Sequence, residues 1–265
     1  MLPALLVVMV NFLITRPKSQ AKRLHNLITK SGNNAILLPV IAINPRQISV
    51  TESEQIQNLN QFDIIFFISA NAVQMSMPLI KRHKQLEYLK TKEIAVIGPA
   101  TQTALQEYGI TPCIISQSKF NSEGLLKHPK LQNVSNKKIL IFRGVGGRTL
   151  LADTLTTRKA KVFSIASYKR QLPDINVDKV ERLLSLNKIL AILVMSNESL
   201  LNLCNLIDKK YLLQKQLITI SERTAKLANT LGFSLSAIIA DNPSEEAIFT
   251  CLNELTNRES NGNHH

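Results

Sequence analysis

The sequence predicts an α/β protein of two duplicated, doubly wound parallel-sheet domains, joined by a two-stranded linker with a cleft between them. Three observations predict it. Matched blocks recur in the same order along the two halves of the 265-residue chain. The strand candidates are continuous Val/Ile/Leu runs, as expected of parallel strands buried on both faces. Two extended, proline-bearing segments occupy equivalent places in the two halves.

The duplication is read from four blocks. LIT at 13–15 ends in Arg16-Pro17, and LIF at 140–142 ends in Arg143-Gly144, an offset of 127 residues from Leu13 to Leu140. DIIFFIS at 63–69 leads into Ala70-Asn71, and LAILVMS at 190–196 into Asn197-Glu198; Ser69 and Ser196 are again 127 apart. IGPATQTALQEYGI at 97–110 matches ISERTAKLANTLGF at 220–233, which sets Thr101 against Thr224 at an offset of 123. NSEGLL at 121–126 matches PSEEAI at 243–248, with Ser122 against Ser244 at 122. Unrelated βα units would not keep this order and spacing.

Each repeat reads β-α-β-β-α-β-α-β-α in outline. Pro17 suits a first helical turn, Ala21, Leu24 and Ile28 form one apolar face, and Gly32 can close that helix. Gly109 and Gly232 stand at matching helix ends. The segments AILLPVIAI at 35–43 and KVFSIASYKRQLP at 161–173 read as single long strands passing from one domain to the other. Two crossings make the first domain discontinuous, 1–36 with 174–257, and give the second 37–173 with the linker strands. Residues 258–265 read as a polar tail, with His264 and His265 a possible tag remnant.

Lys and Arg number 32 against 19 Asp and Glu, a net charge of +13 that favours an anionic partner. A nucleic acid is disfavoured, because aromatics are 5%, Trp is absent and the lysines are dispersed. The three cysteines Cys113, Cys204 and Cys251 are far apart, so disulfides and structural zinc are not expected and a reducing cytoplasm fits. The apolar run MLPALLVVMVNFLI at 1–14 has its first charge, Arg16, after it and no A-x-A site; it reads as a buried strand with an extension, not an export signal or a membrane span.

In open parallel sheets ligands bind beyond the carboxyl ends of the strands. The residues at those ends are mostly small or hydroxylated, and helix N-termini there suit carboxylate or phosphate. The candidates are Arg16, Ser69, Asn71, Gly98, Thr101, Ser196, Ser221 and Thr224. The competing role of the hydroxyls is to cap their own helices. RGVGGR at 143–148 adds Arg143, Gly144, Gly146 and Arg148, glycines that let backbone N–H groups approach an anion between two arginines. It is neither G-x-G-x-x-G nor a Walker motif. There is no nucleophile elbow and no H-E-x-x-H. Tyr168, on the interdomain segment, is the candidate proton handler; the competing role is a ring packed for its area.

Over about residues 12–255 the chain resembles the uroporphyrinogen-III synthase family. The resemblance rests on LITRP, LLPVIAINP, ISANAV, IGPATQTAL, SEGLL, FRGVGGRTLLADTL, ASYKRQLP, ISERTAKLANTLGF and ADNPSEEA in that order. It departs from the family pattern at Ile68, where a threonine is usual, and at Ser221, where a glycine is usual. The resemblance implies an enzyme that cyclises hydroxymethylbilane, a linear tetrapyrrole with eight carboxylate arms, with loss of water and inversion of the last pyrrole through a spiro intermediate. It implies no cofactor and no metal, a monomer, and transient contact with hydroxymethylbilane synthase. It places the family's tyrosine at Tyr168 and its small polar loop residues at Ser69, Asn71, Thr101, Ser196, Ser221 and Thr224. A non-enzymatic hinged binding protein for an anionic small molecule is the alternative; its usual members are exported.

Overall fold

The structure is a computed structural model that describes residues 9–116 and 119–262. The N-terminal extension before Met9 and the two terminal histidines lie outside the described residues. In chain order the first repeat runs β1 (Asn11–Ile14), α1 (Lys18–Lys30), β2 (Asn34–Leu37), β3 (Ala42–Pro45), α2 (Val50–Gln57), β4 (Ile64–Phe67), α3 (Ala70–Arg82), α4 (Leu86–Lys90), β5 (Glu93–Val96), α5 (Pro99–Gln106), β6 (Ile114–Ile115) and α6 (Ser122–Leu125). The second runs β7 (Lys138–Gly144), α7 (Leu150–Thr157), β8 (Lys161–Gln171), α8 (Asp178–Ser185), β9 (Ile189–Leu193), α9 (Asn197–Leu206), α10 (Lys209–Leu212), β10 (Gln216–Thr219), α11 (Glu222–Thr230), β11 (Ile238–Ile239) and α12 (Glu245–Gly262).

The chain divides into two compact units, Met1–Ala42 with Gln171–His265, and Ile43–Arg170. The first unit holds a sheet in the order β11-β10-β9-β1-β2, the second a sheet in the order β3-β8-β7-β4-β5-β6. Pairings β1·β2, β1·β9, β9·β10 and β10·β11 are parallel, as are β4·β5, β4·β7, β5·β6 and β7·β8. Each sheet therefore combines the opening strands of one repeat with the closing strands of the other. β1 and β2 of the first repeat sit beside β9, β10 and β11 of the second, and β7 and β8 of the second beside β4, β5 and β6 of the first. In each unit the strand order reverses direction at one point, between β1 and β9 or between β4 and β7.

Continuous apolar strands bury both faces, and the alternation within them assigns the faces. Ile65 and Phe67 of β4 enter one core with Phe142, Ile165 and Tyr168, whereas Ile64 and Phe66 enter the other with Ile141 and Leu155. In β1, Leu13 joins the core containing Ile192 and Leu217, while Phe12 and Ile14 join that of Leu24, Ile28 and Ile248. Phe67 and Phe142 stack with ring centroids 5.0 Å apart at 12°. Gly32, Gly109 and Gly232 end their helices with φ of +83°, +70° and +95°, the left-handed conformation that glycine adopts at no steric cost.

Three differences from expectation have local causes. The segment 35–43 is not one strand: it is β2 and β3, one in each sheet. Leu38 and Val40 still donate to the Ile14 and Thr15 carbonyls, but Pro39 between them has no N–H, and the run turns away there. The outline also lacked α2 and α8 before β4 and β9, and α4 and α10 before β5 and β10. The first of these was readable: Ser49 and Glu52 form a reciprocal capping box, and Arg46 clasps Glu52 at 2.9 Å. The polar tail expected from 258 is helical as far as Gly262, as nothing before that glycine breaks α12. No helix among the described residues is long and apolar enough to cross a membrane.

Candidate active site at the carboxyl edges of the two sheets

Helices that follow parallel strands start at the carboxyl edge, so their positive ends face the same side as the strand ends. In the second unit Ser69 is the N-cap of α3 and accepts the Ala72 N–H at 3.1 Å. In the first, Ser196 caps α9 through the Ser199 N–H at 3.1 Å, and Ser221 caps α11 through the Thr224 N–H at 3.2 Å. A serine cap satisfies one of the four orphan donors of a helix start; the rest suit an anion.

The hydroxyls are thus both caps and edge residues, and some are more deeply engaged than the sequence suggested. Thr101 and Thr224 are buried in the first turns of α5 and α11. Thr224 Oγ1 donates to Asn197 Oδ1 at 2.9 Å and lies 3.2 Å from Ser221 Oγ. Asn197 links the starts of α9 and α11. Asn71 is half-buried in the first turn of α3. Gly98 and Ser221 hold the same cap position 123 residues apart. The serine supplies a side-chain cap there, whereas a Cβ on Gly98 would meet Phe120 Cβ at 3.2 Å. The glycine makes room for Phe120, which stays largely exposed above it.

The arginines are held in place by partners that the sequence did not announce. Arg16 follows β1 and is mostly buried, with Nη1 3.4 Å from Glu245 Oε1 and Nη2 3.5 Å from Met195 Sδ. Burial pulls its guanidinium below the ordinary range, and the Glu245 charge opposes that pull. In the second unit Arg148 pairs with Glu123 at 3.0 Å and remains exposed. Glu123 and Glu245 are equivalent residues of the SEGL and PSEEAI blocks. The repeated glutamate was the available signal for both ion pairs. Arg143 donates to the carbonyls of Gly144, Gly146 and Arg148, so it pins the glycine loop rather than reaching outward. Gly146 and Gly147 take φ of +73° and +84°, which only glycine adopts without strain.

Tyr168, Ser69 and Gly144 come together at the point where the second sheet reverses direction, between β4 and β7. The phenolic oxygen lies 3.0 Å from Ser69 Oγ, and the ring lies over Gly144. Arg16 and Ser196 follow β1 and β9, the corresponding pair in the first unit. The first sheet has the flavodoxin-like strand order; in the second the same order appears only with β7 and β8 counted first and β3 added at the edge, and in open parallel sheets ligands bind at such a reversal. Hydroxyl-capped helix starts, a glycine loop, arginines and one phenol stand at these points of an α/β protein with two parallel sheets.

The comparisons with known proteins narrow the class. The family model for uroporphyrinogen-III synthase (HemD) matches residues 22–250. The uroporphyrinogen-III synthase of Escherichia coli (strain K12) is 31% identical over 249 residues, covering 92% of this chain and all of that protein. That of Salmonella typhimurium is 30% identical, again with 92% of this chain and all of that protein covered. Among solved structures, uroporphyrinogen-III synthetase from Helicobacter pylori superposes with a TM-score of 0.65 at 14% identity, over 93% of this chain and all of that one. A mutant uroporphyrinogen III synthase from Thermus thermophilus gives 0.62 at 17% identity, over 94% and 99%. The chain belongs to the uroporphyrinogen-III synthase family, and its fold is theirs.

Proposed function

We propose that the chain converts hydroxymethylbilane into uroporphyrinogen III, with carboxylates of the bilane bound at the capped helix starts and Tyr168 beside the leaving oxygen. The observation that carries this reading is the family match across both units. No observation favours a non-enzymatic binding protein. The net charge of +13 suits a substrate with eight carboxylates. The reaction proceeds in the cytoplasm on a monomer, with no cofactor or metal.

The chemistry asks mainly for positioning. A pyrrole nitrogen lone pair expels the hydroxymethyl oxygen, which leaves as water once it gains a proton; ring closure releases one proton from a pyrrole carbon, and no electrons are exchanged. What the enzyme must decide is which carbon attacks, a matter of holding one conformation of a flexible polyanion. Helix N-termini and a basic edge do this without a strong acid/base pair.

Arg148 is the arginine free to exchange its surface partner Glu123 for a substrate carboxylate. Arg148→Glu is expected to raise KM for hydroxymethylbilane about tenfold, the worth of one charge-assisted hydrogen bond. Arg143→Glu is expected to raise KM as well, indirectly, by loosening the loop it pins. Lys209→Glu at the start of α10 serves as the comparison. Three equal KM values would show that the RGVGGR loop has no part in binding.

A further inference from the structure

We infer that Ser69 and Gly144 act on the reaction by seating the Tyr168 phenol, rather than as substrate ligands in their own right; the inference rests on Tyr168 being the group beside the leaving oxygen. The sequence assigned both residues to the bilane. The structure gives each of them a different neighbour.

The first observation is a bulge. In the β7·β8 ladder Arg143 pairs with Ala166 and Gly144 with Tyr168, so Ser167 is one residue more than its partner strand accommodates. Ser167 is buried, and its hydroxyl donates back to the Arg143 carbonyl at 3.4 Å. A one-residue register change redirects the side chains that follow it. Here it sets Tyr168 directly opposite Gly144, with the Val145 N–H bonded to the Tyr168 carbonyl at 2.8 Å.

The second is the fit. A Cβ on Gly144 would lie 2.7 Å from Tyr168 Cζ, 2.8 Å from Cε2 and 3.0 Å from the phenolic oxygen. No real Cβ tolerates such contacts, so an alanine at 144 and the present tyrosine position exclude each other. The backbone at Gly144 is extended strand, so the glycine is needed for space rather than for an unusual φ. Tyr168 is 2% exposed, which leaves the ring little freedom to retreat.

The third is the hydrogen-bond count. Ser69 Oγ accepts the Ala72 N–H at the start of α3 and lies 3.0 Å from the phenolic oxygen. Two hydroxyls carry two hydrogens, and only one can lie between them. The order in which Ala72 donates to Ser69, and Ser69 to Tyr168, aligns every dipole with the positive end of α3. That order leaves the phenolic hydrogen for a partner other than Ser69. Bonds aligned in one direction polarise one another, so the helix start strengthens the phenol as a donor. Ser69 is therefore a positioning residue that works through Tyr168.

The test is a kinetic cycle with hydroxymethylbilane, using Ser69→Ala, Ser69→Thr, Tyr168→Phe and the Ser69→Ala/Tyr168→Phe double variant. Ser69→Ala is expected to lower kcat about threefold to tenfold, the effect of one neutral hydrogen bond, with KM unchanged within about twofold. Ser69→Thr keeps cap and hydroxyl and restores kcat. In the Tyr168→Phe background Ser69→Ala costs no further kcat. Multiplying effects in the double variant, or a Ser69→Ala effect confined to KM, would make Ser69 a substrate ligand and overturn the inference.

Two measurements judge the seating separately from the role of the phenol. The ultraviolet Raman difference spectrum between the parent protein and Tyr168→Phe isolates the Tyr168 hydrogen-bond signature, which is expected to change in Ser69→Ala. Gly144→Ala is expected to lower the melting temperature when Tyr168 is present and not when residue 168 is also alanine. If both are unchanged the seat does not exist. If both appear while Tyr168→Phe turns over at the parent rate, the seat stands, and the assignment of Tyr168 to the leaving oxygen, with the relay built on it, falls.

Discussion

Tyr168→Phe is expected to lower kcat about tenfold to a hundredfold while the product remains the type III isomer. The hydroxymethyl oxygen departs as water only with help from a donor, and general-acid assistance contributes about 10²–10⁴-fold when proton transfer limits the rate. Expulsion by the pyrrole nitrogen shares the work here, which places the effect at the low end or below it. A phenol donates without adding negative charge among eight carboxylates, as an ionised Asp or Glu would. The variant keeps the ring over Gly144 and loses the bond to Ser69, so the fold survives at a cost of about 0.5–1.5 kcal/mol. Turnover, isomer ratio and melting temperature measured together decide the case. An unchanged rate makes Tyr168 a lining residue, and a rate loss with a collapsed melting temperature makes it a packing residue.

Phe142→Ala is expected to cost about 3–5 kcal/mol, the usual loss when a fully buried phenylalanine is truncated. Phe142 is 0% exposed on β7, between β4 and β8, and stacks on Phe67. The same core holds Ile165 and Tyr168, so the cavity opens in the core to which the phenol's ring belongs. Because the chain has two units, denaturant unfolding followed by circular dichroism is expected to show the second unit's transition moving to lower denaturant while the first unit's stays. A loss below about 1 kcal/mol would mean that the site collapses around the gap and that the stack is not a principal element of that core.

The duplication was legible because it is a linear property of the chain. Offsets of 127 and 123 residues from the sequence separate β1 from β7 and β5 from β10 in the structure. Helix starts at Ser69, Ser196 and Ser221 were legible because capping chemistry is local. The exchange of opening βαβ units between the two sheets was foreseen only as two crossing strands. Which strand pairs with which is a long-range matter, and no local residue encodes it. The two compact units part at 42/43 and 170/171; the run turns away at Pro39, which leaves β2 in the first sheet and β3 in the second. The partners of the arginines were hidden for the same reason, with Glu245 standing 229 residues from Arg16. Gly144 read as an anion-loop glycine; its neighbour Tyr168 is 24 residues away and reaches it only through a bulge at Ser167.

The proposed activity dictates the isomer. Hydroxymethylbilane generated enzymatically and released into solution closes by itself to the type I product. The purified protein, added without metal or nucleotide, is expected to divert nearly all of it to uroporphyrinogen III, seen after oxidation as separable type III and type I uroporphyrins. A product mixture indistinguishable from the spontaneous type I outcome would contradict the account.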